Sequence, residues 1–209
     1  MRYPITPRNT LLRELRSQLR DRNPRGRVIV AVDGFANTKE FADEFAKIIG
    51  EDGSTVLRAS IQDFSREPSA RVGDTCAPQW IDEDDFRRVL IDPYRLGSMD
   101  GGTTGFQLQI WDREIEAPVQ AKWTTAGVDA VLVIDGPFLL SPALRGLWHY
   151  ATWLRIDESA LAERDGRSLE QPFTAPELAY LADKPWNAAA ALVEATDLEL
   201  PQQFFQDFC

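Results

Sequence analysis

The chain has 209 residues, with 23 Lys plus Arg against 33 Asp plus Glu and 44% apolar residues. That is the profile of an ordinary globular chain, and one domain over 1–209 is the default expectation. A net charge of −10 argues against a surface built to neutralise phosphate backbones or anionic lipid, so neither nucleic-acid nor membrane partners are expected. Two cysteines, Cys76 and Cys209, and the single His149 cannot assemble a disulfide framework, a zinc-finger spacing or a two-histidine metal site.

No apolar run approaches the roughly 20 residues that span a bilayer, and the opening residues carry no signal-peptide core. The expected location is cytoplasmic. Leu11, Leu12, Leu15 and Leu19 recur at helical spacing and predict a first helix whose arginines face solvent. RVIVAV, from Arg27 to Val32, is rich in β-branched residues and bounded by Gly26 and Asp33-Gly34, as a buried strand would be. KEFADEFAKIIG follows with Phe41, Phe45, Ile48 and Ile49 on one helical face, and TVLRAS at 55–60 reads as the next strand. Strand, helix, strand in this order is a βαβ unit with parallel strands.

Residues 61–81 are polar and turn-rich, after which Asp82 can cap a helix through DEDDFRRVLID that Pro93 should stop. The segment 94–127 reads as an excursion: a flexible GGTTG turn at 101–105, then a short hairpin involving FQLQIW. The core resumes with DAVLVI at 129–134, again ending in Asp-Gly, followed by an expected helix from about Pro142 to Trp148. A strand YATWLRI, helices DESALAERD and TAPELAYLAD, and a last strand in AAALVEAT complete the alternation. The pattern predicts a three-layer α/β domain with helices on both faces of a mainly parallel sheet, RVIVAV and DAVLVI being central neighbours. Trp148, Trp153 and His149 read as packing residues, whereas Trp80, Trp111 and Trp123 are candidates for a pocket or a partner surface.

Ligands in such sheets sit beyond the carboxyl ends of the strands, which directs attention to VAVDGFANTKEFADEF. A phosphate-binding G-x-x-x-x-G-K-S/T loop needs a second glycine, a lysine for the β/γ-phosphates and a hydroxyl for magnesium. Here Gly34 is followed by Phe35, Ala36, Asn37, Thr38 and Lys39. The loop is one residue short, Thr38 stands where the second glycine belongs, and Glu40 replaces the hydroxyl.

VAVDG, FADEF, ASIQDF, DEDDFRRVLIDP, FQLQIWD, DAVLVIDGPFLL with PALRGLW, and a late ATD occur in an order that resembles the uridine kinase-like branch of the P-loop nucleoside kinases. The likeness is to bacterial members whose loop is similarly eroded. The resemblance implies a P-loop NTPase-like fold with phosphate ligands at Gly34, Asn37, Thr38 and Lys39. It implies a catalytic aspartate at the Gln62-Asp63 pair, where Gln62 holds the family position and Asp63 lies one residue away. Asp135 would stand at the Walker-B-like position with Glu40 as a second metal candidate, and Arg164 and Arg167 would be lid arginines.

Phosphoryl transfer depends on positioning and electrostatic stabilisation of phosphates, and Glu40, Asp43 and Glu44 at a helix start should repel a triphosphate. One such charge at about 4 Å costs roughly 1 kcal/mol in a water-like dielectric and roughly 4 kcal/mol near a protein surface. The leading expectation is therefore a pseudokinase or small-ligand-binding protein whose partner is a nucleoside-like small molecule or another protein. The alternative is a working ATP- or GTP-dependent kinase of a nucleoside or other small hydroxyl compound. In it Lys39 would hold the phosphates, Glu40 or Asp135 would hold Mg²⁺, and Asp63 would be the base. A purely structural or regulatory subunit is the third reading.

Overall fold

The computed structural model describes residues 2–71, 80–97, 99, 101–120 and 122–205; Cys76 and Cys209 lie outside them. The sheet is built on two strands, β1 (Val28–Asp33) and β5 (Val131–Gly136), buried along their whole length. They pair in parallel, Val28 opposite Val131 through Asp33 opposite Gly136, as their matching apolar runs predict. Around them lie β2 (Val56–Ser60), β6 (Tyr150–Arg155), β7 (Ala191–Glu194) and β8 (Gln202–Phe204), in the order β2-β5-β1-β6-β7-β8. All pairings are parallel except β7 with β8. Strands buried on both faces need helices on both sides.

On one face α1 (Pro7–Arg22) packs on α2 (Thr38–Ile49), and Leu12, Leu15, Leu19, Phe41 and Phe45 pack against Val30, Val32 and Val133. Thr6 caps α1 by accepting from the Asn9 amide. Arg13 and Arg16 reach from α1 to Glu51 in the 3₁₀ turn that follows α2, and the hydrogen bond from Arg13 holds the Glu51 carboxyl down at about 2.

The opposite face is covered by α3 (Glu83–Phe86), a π-helical turn over Arg87–Ile91, α4 (Asp92–Leu96) and α6 (Ala175–Ala182), with α5 (Glu158–Asp165) beside the sheet end. Pro93 does not stop this helical run, contrary to expectation. The carbonyl that its missing N–H would have bonded, that of Val89, accepts instead from the Gln107 amide at 2.9 Å. The chain one residue earlier uses the wider π pattern, with the Asp92 amide on the Arg87 carbonyl.

Three further expectations are corrected. Residues 142–148 form turns and a short 3₁₀ segment, Arg145–Leu147, although Leu144 and Leu147 are still buried. The hairpin is smaller than FQLQIW suggested: β3 (Trp111–Asp112) pairs with β4 (Ala117–Pro118), and Phe106 bridges Thr124 below it. The last strand is β8 rather than AAALVEAT, which supplies β7.

The excursion is tied to the sheet by Arg27, which is 5% exposed. Its guanidinium donates to the carbonyls of Tyr94 (2.6 Å), Gly127 (3.1 Å) and Ala126 and stacks on the Tyr94 and Phe106 rings. A Cβ at Gly97 would collide with that guanidinium, so a larger residue there would have to displace Arg27 from its carbonyls.

Candidate functional site

Four residues, Gly34 to Asn37, join β1 to α2. A Cβ at Gly34 would lie 2.8 Å from the Leu154 carbonyl oxygen on β6, which leaves glycine as the residue that fits. Phe35 turns its ring inward, 5.8 to 6.1 Å from the rings of Phe138, Trp153, Phe173 and Tyr180. Asn37 adopts a left-handed conformation, φ 61°, and its side-chain amide donates to the Ala195 carbonyl at 2.8 Å. That bond holds the turn to the residue just after β7 and leaves α2 without a side-chain cap. The helix begins at Thr38, so Glu40 is the acidic residue of its first turn. Asp43 and Glu44 lie deeper and have basic partners in Arg58 and Lys47, which narrows the expected repulsion to Glu40.

Beneath the turn, Asp33 is fully buried. Its Oδ2 accepts from the Tyr180 hydroxyl and from the Leu140 amide at 2.8 Å. Burial pushes its carboxyl up to about 7, against the lowering effect of the Tyr180 and backbone hydrogen bonds.

The expected site residues divide between two neighbouring clefts. Gly34, Asn37, Thr38, Lys39, Glu40, Gln62, Arg164 and Arg167 line one of about 740 Å³. Asp63 and Asp135 line another of about 550 Å³, and Lys39 borders both. Glu40 and Asp135, paired in the sequence reading as metal candidates, thus face different spaces.

The two lid candidates are engaged by the protein itself. Arg164 donates to the Phe35 carbonyl at 2.8 Å and pairs with Asp165 at 2.7 Å. Arg167 holds Glu177 at 2.6 Å and Asp165 at 3.1 Å. Glu177 is itself buried and completes the capping box of α6 with Thr174.

In the second cleft Arg58, from the middle of β2, meets the Asp135 carboxylate at 2.7 Å and Asp43 at 2.9 Å, and donates to the Val133 carbonyl at 2.6 Å. Burial raises the Asp135 carboxyl, opposed by Arg58. Arg113 of the hairpin reaches the Gln62 side-chain oxygen at 2.5 Å and Asp63 at 3.3 Å. The Asp63 carboxyl is also raised by burial, opposed by Arg113 and Lys39. Among the described residues no group of three or more His, Cys, Asp or Glu side chains could hold a metal ion. Asp135 already carries a guanidinium where a cation would sit, so the residues present do not fit magnesium there.

Arg58, Arg113 and Tyr180 are the site residues that reading the sequence missed. Of these, Arg58 carried a signal, a lone charge inside the otherwise apolar strand TVLRAS. His149 accepts the Ile29 amide through Nδ1 at 3.0 Å, consistent with packing. Trp153 is in the core, Trp123 is 63% exposed, and Trp80 and Trp111 line a third cavity beside Gln62. No helix among the described residues is long and apolar enough to cross a membrane.

No family model matches the chain, and no curated protein matches it. Solved structures do. A possible uridine kinase from Bacillus stearothermophilus superposes with a TM-score of 0.67 at 15% identity, over 88% of this chain and 96% of that one. A protein assigned as a fructose transport system kinase, from Silicibacter sp. TM1040, gives 0.59 at 20% identity, over 85% and 91%. At these identities the likeness is one of fold: the α/β architecture with its mainly parallel six-stranded sheet is shared with P-loop small-molecule kinases.

Proposed function

We propose that this protein is a pseudokinase, a uridine kinase-like scaffold that binds a small ligand and does not turn over a nucleoside triphosphate. The observation that carries this reading is the turn between β1 and α2, four residues long with the Phe35 ring seated among four other aromatic rings. A phosphate-binding loop works by wrapping converging N–H groups around an anion, and a turn drawn inward by its own side chain has no length left to wrap. Arg164 and Arg167, which would clamp a transferring phosphoryl group, are spent on Phe35, Asp165 and Glu177. Arg58 neutralises Asp135 in place of a metal.

Calorimetric titration with Mg·ATP is expected to give a dissociation constant of about 1 mM or weaker, equivalent to roughly 4 kcal/mol or less. Micromolar affinity would overturn the proposal. A repair experiment sharpens it: replacing Phe35–Glu40 by a full-length G-x-x-x-x-G-K-T insert should restore nucleotide binding, since β1 and α2 already flank the position correctly. Turnover should stay absent until Gln62→Asp is added, because a carboxamide cannot give the general-base assistance that contributes about 10²–10⁴ in rate.

One observation favours the rival reading of an active kinase of a nucleoside or another small hydroxyl compound. Asp63, with its raised carboxyl, shares a cleft with Lys39, next to the cleft holding Gln62 and Arg164. Under that reading Asp63 is the base, and phosphoryl transfer from ATP to a nucleoside by the unmodified chain, abolished in Asp63→Asn, would establish it.

A further inference from the structure

We infer that the cavity beyond the carboxyl ends of β6 and β7 receives an aromatic compound carrying a protonated amine. Phe35 is the residue it shares with the cleft holding Lys39 and Gln62. The inference goes beyond the pseudokinase reading and does not require a nucleotide to bind.

The space is about 700 Å³, inside the roughly 300–1,000 Å³ of pockets that hold a drug-sized ligand. Open α/β sheets bind ligands in that position, outside the carboxyl ends of their strands. Five aromatic rings line it: Phe35, Trp153, Phe173, Trp186 and Phe204. Phe35 stands 5.8 Å from Phe173 and 5.9 Å from Trp153, and Trp153 stands 6.2 Å from Trp186, so four of the rings form one continuous wall. Trp153 is buried at the back of that wall, whereas Phe35, Phe173, Trp186 and Phe204 are half-buried and keep surface that an occupant can cover. Phe173 and Trp186 flank α6, which its capping box and the bond from Tyr180 to Asp33 fix on the sheet, and Phe204 belongs to β8, which is laddered to β7. Walls held in this way need little reordering on binding.

The charges at the rim select the sign of the ligand. Arg155 and Glu194, the last residues of β6 and β7, stand opposite each other, pair at 2.7 Å and cancel. The Arg155 guanidinium carbon also lies 4.1 Å from the Phe204 ring centroid, a cation–π contact that the protein itself makes in this cavity. Asp157 and Glu158 remain. Asp157 Oδ1 accepts the Ser159 and Ala160 amides at 2.9 and 3.3 Å, so the end of α5 that would attract an anion already has one. Glu158 is exposed and has no ion-pair partner among the described residues. The described lining thus holds three carboxylates against one guanidinium. Electron-rich ring faces and an excess of negative charge both favour a cation over a carboxylate or a phosphate, and a wall of rings favours a flat body over an aliphatic one.

The test follows the indole N–H signals of the ¹⁵N-labelled full chain by ¹⁵N–¹H correlation, with the Trp186 signal identified by Trp186→Phe. Tryptamine, indole-3-propionate and n-butylamine are added separately at constant ionic strength and neutral pH, where the first and third are cations and the second an anion. The expected result is a saturable movement of the Trp186 signal with tryptamine, with the exposed Trp123 signal unmoved. Indole-3-propionate should bind about tenfold more weakly or worse, and n-butylamine, which lacks the ring, should be weaker by a similar factor. Trp186→Ala should weaken tryptamine about tenfold. Glu158→Gln, an exposed change in the first turn of α5, should weaken tryptamine about threefold and tighten indole-3-propionate by a similar factor.

No saturable movement with tryptamine up to about 10 mM, or equal drift of every indole signal, overturns the inference. So does indole-3-propionate or n-butylamine binding as tightly as tryptamine, or a preference between the two indoles that Glu158→Gln leaves unchanged. These outcomes are separate from the failure of the proposed function, which is read in the Mg·ATP titration.

Discussion

Asp33 and Asp135 stand at the ends of neighbouring parallel strands one register step apart, Asp33 opposite Gly136 and Asp135 opposite Val32, yet the protein answers them with different groups. Asp33 is sealed beneath Phe35, and burial pushes its carboxyl up to about 7, because the neutral donors that answer it, the Tyr180 hydroxyl and the Leu140 amide, offset only part of the lost solvation. Asp135 faces an open cleft and is answered by a full cation, Arg58. Strand position alone therefore does not define a carboxylate's chemistry. Burial raises both carboxyls, and what differs is the group that opposes it: neutral hydrogen-bond donors at Asp33, a guanidinium at Asp135.

Asp33 offers the largest way to break this contrast. Its pKa is raised on folding, so the native state holds a proton that the unfolded chain releases above about 4. Stability from this group is therefore lost as pH rises from about 4 to 7, by about 4 kcal/mol in total at 1.36 kcal/mol per unit. Asp33→Asn should abolish that part of the pH dependence, as read from urea midpoints at pH 4 to 8. An unchanged profile would mean that Asp33 ionises freely.

Arg58→Met leaves the buried Asp135 carboxylate unpaired and is expected to cost about 3 kcal/mol at pH 8, with a smaller loss at pH 5. If the loss is equal at both values, the arginine acts by packing alone. Phe35→Ala removes a half-buried ring and should cost about 2 kcal/mol. By admitting water it should also lower the Asp33 carboxyl toward its ordinary value, a change that the carboxyl infrared band reports. The smallest effect is expected from Tyr180→Phe. It deletes one hydrogen bond worth about 1 kcal/mol while Asp33 is neutral at pH 5 and about 2 kcal/mol when it is charged at pH 8, so the two urea midpoints should separate.

Much of the fold was legible because its elements are specified locally. RVIVAV and DAVLVI announce buried strands by composition and stop at Asp-Gly, and the Leu11 to Leu19 stripe is a helix whatever surrounds it. β8 was not legible, because QQF is short and polar and becomes a strand only through its pairing with β7. The 142–148 segment has helical spacing, but Gly146 and the demands of seating Leu144 and Leu147 turn it into tight bends.

At the site, sequence spacing was enough to gather Gly34, Thr38, Lys39 and Gln62 beside one cleft, because a parallel strand followed by a helix places its connecting turn beyond the carboxyl end of the sheet. The groups that disable or replace the expected chemistry came from distant segments. Arg58 reaches Asp135 only through the register that sets Arg58 opposite Val133. The inward turn of Phe35 depends on Phe138, Trp153, Phe173 and Tyr180, which lie more than a hundred residues away along the chain.

The knot at Arg27 bears on how such a protein can change over time. One guanidinium, placed immediately before β1, gathers the carbonyls of Tyr94, Ala126 and Gly127, so the excursion both leaves and rejoins the sheet at the same side chain. Between those ends the segment is held again by the Ile110 amide on the Asp63 carbonyl and by Arg113 on Gln62 and Asp63. Exchanging that segment would alter the lining of the neighbouring clefts while β1 and β5 keep their register. A lineage that preserved an arginine before β1 and a glycine at the crossing could thus vary that lining without rebuilding its core.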